Sequence, residues 1–439
     1  MARAARSIGD ALVTIAGRES VRDDASSLDS SIIDGARPRF LVRPASIDEL
    51  SRVIALAHDA GLAAVPRGNG RALELGNPPA KVDLVVDLTG LDRVIEHNPD
   101  DLTITVQAGM SCGALAALLA PHRQSLAIDP PGLATRTLGG VTATNALGPL
   151  RARFGGLRDL LLGVRFVQPD GVVTWGGSKV VKSVSGYDVP KLMVGALGTL
   201  GVLAELTLRL HPLPDLERSW LVCLDQPQAA QELVSRLVDS SVQPGRVELL
   251  NDDAARFVLG ESGSAGIAVS MGSVADAVNE QGERLAEMAK AQGARVLALP
   301  DDFWSRVSDA MSPPAGWTVL QITSLPGRLA DTLEAVGGIV QAEAPGAEVR
   351  LGGCATLGTL RLLIGGATVA ELDAVITRVR AWVGEIGGGV VVASGPAELR
   401  RTVDPWGPIG PGALALMRAL RDEFDPRRVL NPGRYVRGI

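Results

Sequence analysis

Four stretches of this sequence place glycines, small polar residues and arginines where a large anionic ligand could be held. Residues 66–76, PRGNGRALELG, follow directly on the apolar run LAAV. Gly68 and Gly70 allow left-handed backbone and close approach of N–H groups to an anion, while Arg67 and Arg71 add positive charge. That pattern suits a pyrophosphate cradle, and equally a structural turn. It is neither the G-x-G-x-x-G that opens a dinucleotide-binding helix nor a G-x-x-x-x-G-K-[ST] phosphate loop. Residues 129–163 form a second stretch, with Gly139, Gly140, Thr142, Thr144, Asn145, Gly148, Arg151 and Arg153. Loops of such length in compact domains usually serve a function, and small residues let backbone press against a flat ligand. In the third stretch, residues 176–212, Lys179, Lys182 and Lys191 read as a solvated face, and GTLGV at 198–202 reads as a turn or bulge feeding a strand. The fourth, residues 424–436, turns at Asn431-Pro432-Gly433 before Arg434, as a chain end does when it closes over something.

Composition bounds the remaining possibilities. A chain of 439 residues implies two or three structural units. With 46% hydrophobic and 21% charged residues it can build large cores, and gross disorder is not expected. Its net charge of −6 argues against nucleic acid as a partner, since phosphate backbones select basic faces. Cys112, Cys223 and Cys354 lie too far apart for metal-ligand or iron–sulfur spacing, so no metal site is expected and the thiols read as small buried residues. The histidines are His58, His97, His122 and His211, with none beyond. The first twenty residues lack the apolar core of a signal peptide and predict a short amphipathic helix. No apolar run reaches the ~18 residues that span a bilayer. The expected location is cytoplasmic, with membrane association only through partners.

The elements that must position these stretches show as changing periodicity. FLVRPASIDELSRVIALAHDAGLAAVPRG reads as strand, helix, strand, the helix opened by a Ser46–Glu49 capping box and carrying Leu50, Val53, Ile54 and Ala57 on one side. Two or three strands and a helix follow through about residue 119, and LLLGVRFVQPDGVVTWGG makes two strands about a PDG turn. HPLP marks a boundary near 214. Between about 215 and 400, five apolar runs (WLVCL, GIAVSM, WTVLQIT, TLRLLIGG, GGVVVAS) alternate with four amphipathic helices, which predicts an antiparallel sheet with helices on one face. The expected organisation is a leading helix and loop over 1–37, a ligand-binding α/β domain over 38–214, a cap over 215–400, and a tail over 401–439 that returns to the ligand.

In this order and spacing the four stretches resemble the FAD-binding domain of the vanillyl-alcohol-oxidase (p-cresol-methylhydroxylase-type) superfamily, in its glycolate oxidase/D-lactate dehydrogenase branch. The resemblance is strong over 38–214, moderate over the last thirty or so residues and slight in the cap. PRGNGRALELGNPP, GGSKVVKSVSGYDVPKLMVGALGTLGVLAELTLRLHPLP and FDPRRVLNPGR look most like the FAD-binding E-type subunit of glycolate oxidase. It implies an α+β fold of two α/β subdomains under an α+β cap. Arg67, Gly68, Asn69, Gly70 and Arg71 would hold the pyrophosphate. Pro131, Gly132, Thr137, Gly139, Gly140, Thr144 and Asn145 would line the second phosphate and flavin loop. Gly201 and Val202 would meet the adenine end, and Asn431 and Arg434 the isoalloxazine.

The sequence departs from the family in three places. Asn69 stands where a glycine is usual, and asparagine tolerates left-handed backbone best among the other residues. Arg71 stands where some members attach FAD to a histidine, so FAD is expected to bind non-covalently. The histidine-rich metal-binding motif that orients 2-hydroxy acids in the cap of the D-lactate and D-2-hydroxyglutarate dehydrogenases has no counterpart after His211. Arg350 and Arg361 remain as candidate cations for a substrate carboxylate. The resemblance implies an FAD-binding subunit of a glycolate or 2-hydroxy-acid dehydrogenase complex, relaying electrons beside a catalytic flavoprotein and an iron–sulfur subunit. Such a subunit alone would not oxidise glycolate or D-lactate. A self-sufficient FAD oxidase or dehydrogenase and a redox-inactive scaffold are the alternatives.

Overall fold

A computed structural model describes residues 2–178 and 187–439; Lys179 and Lys182 lie outside the described residues. The expected leading helix spans Ala2–Ala16. Strands Phe40–Val42 and Ala64–Arg67 both run parallel to Leu84–Asp87 between them, and Val21–Arg22 adds an antiparallel edge. The intervening helix Ile47–Asp59 starts where Ser46 accepts the Glu49 N–H at 3.2 Å, and it buries Leu50, Val53, Ile54 and Ala57 as the spacing predicts. Each large apolar side chain so buried contributes about 1.5–3 kcal/mol.

A second, antiparallel sheet has the order Val94–Asn98, Thr103–Gln107, Val202–Arg209, Leu161–Val167, Val173–Gly177. Val167, Val202 and Ala204 of this sheet share one buried cluster with Val42, Leu84 and Val86 of the first and with Val429 and Leu430 of the tail. Two sheets and the chain end therefore form one body. The tail is fixed by a buried ion pair: Arg421 Nη1 stands 3.0 Å from Asp425, whose carboxylate also accepts the Val429 and Leu430 N–H groups at 3.0 and 2.8 Å.

The largest sheet has eight strands, all pairs antiparallel: Arg295–Ala298, Leu216–Cys223, Gly266–Ser273, Arg246–Leu250, Glu348–Cys354, Thr359–Gly365, Thr318–Thr323, Gly389–Ser394. Helices Pro227–Asp239, Ala275–Lys290, Leu329–Glu343 and Val369–Glu385 pack against one face through Leu249, Ile267, Leu320, Leu351 and Leu362. Helices on one face alone is the expectation that fails. The alternate residues Leu250, Ala268, Val319 and Leu363 meet two short helices, Asp252–Leu259 and Phe303–Ala310, on the other face. These cover only part of it, and the uncovered part faces the two-sheet body.

Candidate functional site

Two clefts adjoin the glycine loop. The smaller, about 90 Å³, lies wholly within the two-sheet body and its tail. The strand Ala64–Arg67 delivers the glycine loop into it. Arg67 is tied back, 3.4 Å from Asp87 and 3.3 Å from the Ser31 hydroxyl. Gly68 lies so close to Thr137 that a Cβ there would meet its Oγ1 at 2.0 Å. The Asn69 amide donates to the Thr135 carbonyl at 2.8 Å, and it is Gly70, with φ 71, that takes the left-handed backbone. Asn69 therefore fills the position of a glycine without needing a glycine's conformation.

The opposite side is the start of helix Leu138–Thr144, where the Thr137 hydroxyl accepts the Gly140 N–H at 3.2 Å. Thr137, Gly140 and Thr144 line the small cleft, and Asn145, left-handed at φ 46, lines the larger one. The tail closes the small cleft. Asn431, at φ 45, donates from Nδ2 to the Leu197 carbonyl at 2.6 Å, and Arg434 donates to the Leu75 carbonyl at 2.9 Å. Burial draws the Arg434 guanidinium down to about 10, with Asp34 opposing and Arg400 reinforcing the shift. Leu197 itself is left-handed at φ 51, a strained state for leucine that recurs at ligand sites.

The larger cleft, about 1020 Å³, runs from this region to the cap sheet and suits a large ligand with room for a small one beside it. Pro131 and Gly132 line it, and the Ser308 hydroxyl of the cap accepts the Gly132 N–H at 2.9 Å. Three of the residues expected at FAD line neither cleft. Gly139 packs its helix onto Ala108, donating to that carbonyl at 2.7 Å, with 2.9 Å left for any Cβ. A Cβ on Gly201 would meet the Phe166 ring at 2.5 Å, and Val202 is fully buried opposite Val167. Both pack against the second sheet.

The cap wall separates the two candidate arginines. Arg350 lies outside both clefts, its guanidinium 4.0 Å from the Phe257 ring centroid and 4.9 Å from that of Trp317. Arg361 lines the larger cleft. It sits on an interior strand, not at a sheet edge, opposite Gly352 on one side and Gln321 on the other. Burial brings it down to about 10, Arg136 pushes the same way, and Glu248 opposes. Arg136 is itself lowered by burial and by Arg71. Arg71, Arg136 and Arg361 all line the cleft, and none makes an ion pair among the described residues. Adjacent guanidiniums without counter-ions are a ready anion site.

Glu248 is the residue that sequence reasoning missed. It lies on Arg246–Leu250, only 5% exposed, and lines the cleft with no partner for Oε2. Burial, then Asp129, raises its carboxyl well above the ordinary range, against the pull of Arg361 and Arg246. Asp129 is held by Arg246 at 2.7 Å. Burial pushes the Cys112 thiol up to about 12, consistent with an inert buried thiol.

The site fits FAD on its own geometry. Asn431 Oδ1 and Arg434 Nε are buried polar atoms without partners in residues lining the small cleft, beside a loop where Gly68 leaves no room for a side chain. Residues 38–177 match the family described as FAD binding domain, and residues 408–435 match FAD linked oxidases, C-terminal domain. Over 98% of its length the chain is 24% identical to the glycolate oxidase subunit GlcD of Bacillus subtilis (strain 168), covering 96% of it. It is 25% identical to a D-lactate dehydrogenase of Anaerostipes hadrus, over 95% of this chain and 93% of that one. The fold is that of p-cresol methylhydroxylase solved with substrate bound: TM-score 0.75, 14% identity, 98% of this chain and 96% of the other covered. No helix among the described residues is long and apolar enough to cross a membrane.

Proposed function

Proceeding from an FAD-dependent oxidoreductase of the vanillyl-alcohol-oxidase/p-cresol-methylhydroxylase-type superfamily, of the glycolate oxidase/D-lactate dehydrogenase type, we propose that this chain oxidises a small 2-hydroxy carboxylate in its own cleft, as one subunit of a larger dehydrogenase. The observation that carries the reading is the pair Arg136 and Arg361, two cleft-lining guanidiniums not assigned to the pyrophosphate and without an ion pair among the described residues. An electron relay needs no carboxylate receptor; an oxidation site does.

FAD is bound non-covalently in this reading, with Arg67, Gly68, Asn69, Gly70 and Arg71 about the pyrophosphate, Thr137, Gly140, Thr144 and Asn145 opposite, and Asn431 and Arg434 closing from the tail. Bound FAD supplies a two-electron acceptor. The protein's own part is to hold the substrate carboxylate on Arg361, orient its carbon–hydrogen bond and exclude bulk water between cap and body. The full-length likeness to a glycolate oxidase subunit supports a multi-subunit setting, with a second flavoprotein and an iron–sulfur subunit taking the electrons onward.

The test is anaerobic mixing of the FAD-loaded chain with glycolate, D-lactate and D-2-hydroxyglutarate while the flavin absorbance is followed. Bleaching by one of them is expected; a flavin that none bleaches overturns the reading. Native co-purification tests the assembly, and an iron–sulfur chromophore travelling with the chain is the expected result.

A further inference from the structure

We propose that Glu248 is the catalytic proton acceptor of the cleft, taking the hydroxyl proton of a 2-hydroxy carboxylate held by Arg361; the substrate class rests on the function proposed above. The strand register sets the two residues on one face. Glu248 opposes Cys354, which opposes Thr359, while Leu250 opposes Gly352, which opposes Arg361. Antiparallel partners project to the same side, and so do residues two apart. Glu248 and Arg361 thus stand diagonally across a row whose middle position, Gly352, has no side chain. Both line the cleft, and each influences the other's ionisation, yet they make no ion pair among the described residues. Glu248 Oε2 and Arg361 Nε are both buried without a partner. Arg361 Nη2 donates to the Met311 carbonyl at 3.4 Å, but a carboxylate oxygen and a guanidinium N–H left without partners in one cleft leave a place for a ligand that satisfies both.

The other carboxylates of the cleft are occupied or exposed. Asp34 pairs with Arg400, Glu74 accepts from Ser394, Asp129 pairs with Arg246, and Asp309 faces solvent. No histidine lines the cleft among the described residues. Glu248 remains as the group able to accept a proton. The raised affinity of its carboxylate for a proton suits a general base.

The reaction balances as follows. The substrate C–H bond breaks with its electron pair leaving as hydride, for which bound FAD would supply the two-electron acceptor. The O–H bond breaks, its proton goes to Oε2 of Glu248, and the freed pair completes the C=O bond of a 2-oxo acid. The proton then leaves Glu248 for water in the cleft.

Two readouts test this in the FAD-loaded protein. In the first, stopped-flow reduction of Glu248→Gln should be about 10²- to 10⁴-fold slower than wild type, with Glu248→Asp partly restored and flavin content unchanged. A Glu248→Gln rate equal to wild type overturns the role of Glu248 while leaving the proposed function standing. A wild type that no 2-hydroxy acid reduces overturns the proposed function, and Glu248 is then judged by the second readout, which needs no turnover. Oxalate, a dianion for Arg361, should bind best when Glu248 is protonated. Its affinity should fall by up to tenfold per pH unit above the Glu248 pKa in wild type and stay flat in Glu248→Gln. The groups facing Glu248 are Arg246 on its own strand, Cys354 and Arg361 on its neighbours, and Asp129 from the flavin side. Cys354→Ser should therefore keep the slope. A slope shared by wild type and Glu248→Gln overturns the proposal.

Discussion

The two walls of the cleft are built by different means. On the body side, close backbone approach does the work: Gly68 against Thr137, Gly70 in left-handed conformation, a helix start whose Gly140 N–H is already taken by the Thr137 hydroxyl. On the cap side the work is done by charge that the sheet register assembles: Arg246 and Glu248 on one strand and Arg361 two strands away. The first wall is specified by contiguous residues, whereas the second exists only once the strands have paired. A wall of backbone suits a cofactor of fixed shape, and a wall of side chains can change its ligand through a few substitutions.

The largest expected effect tests the cap wall. Replacing Arg361 with Met removes the cation beside buried Glu248 and should raise the 2-hydroxy-acid concentration that half-saturates flavin reduction. The expected loss is about 2–5 kcal/mol, roughly thirtyfold to a few thousandfold. FAD content should not change. Loss of FAD with retained substrate affinity in the residual holoenzyme would break the division between the walls.

The body wall is tested by Gly68→Ala. The new Cβ has 2.0 Å to Thr137 Oγ1, so loop or helix start must move. An overpacking cost of about 1–3 kcal/mol, roughly 5- to 150-fold in the FAD dissociation constant, is expected. Flavin fluorescence titration of the apoprotein measures it. Unchanged FAD affinity would mean that this loop does not contact the cofactor.

The same division explains what could be read from the sequence. The body side was legible because its signals are local: the Ser46–Glu49 cap, the apolar spacing of Ile47–Asp59, the glycine loop and the Asn431 turn all appear within a few residues of one another. At Gly139, Gly201 and Val202 the structure shows close packing and no lining of either cleft, and a sequence does not distinguish a glycine pressed against Phe166 from one pressed against a ligand. In the cap, five of the eight strands stood out as apolar runs, and the strand that carries Glu248 did not. RVELL is short, polar at two of five positions and followed at once by the Asn251-capped helix. A glutamate flanked by Val247, Leu249 and Leu250 was the available signal, because an acid in a buried strand demands either a partner or a function.

The smallest expected effect is the sharpest, because it sets two arginines of one sheet against each other. Arg350 opposes Leu363 and Arg361 opposes Gly352, so both residues project from the same face of paired strands. What separates them is their surroundings. Each donates to a backbone carbonyl, Arg350 to Ala310 at 3.3 Å and Arg361 to Met311 at 3.4 Å, but Phe257 and Trp317 flank the Arg350 guanidinium while Arg361 has glycine across from it and the cleft beyond. Arg350→Met keeps the apolar stem and loses the stacking, a cost of about 1–2 kcal/mol. The melting temperature should drop by about 2–8 °C for a unit of this size. Half-saturation by substrate should move by less than about 0.5 kcal/mol, roughly twofold. If Arg350→Met weakens the substrate as Arg361→Met does, the receptor is the whole sheet face. If it does not, a ring on either side is enough to turn a cation from a ligand receptor into a structural one.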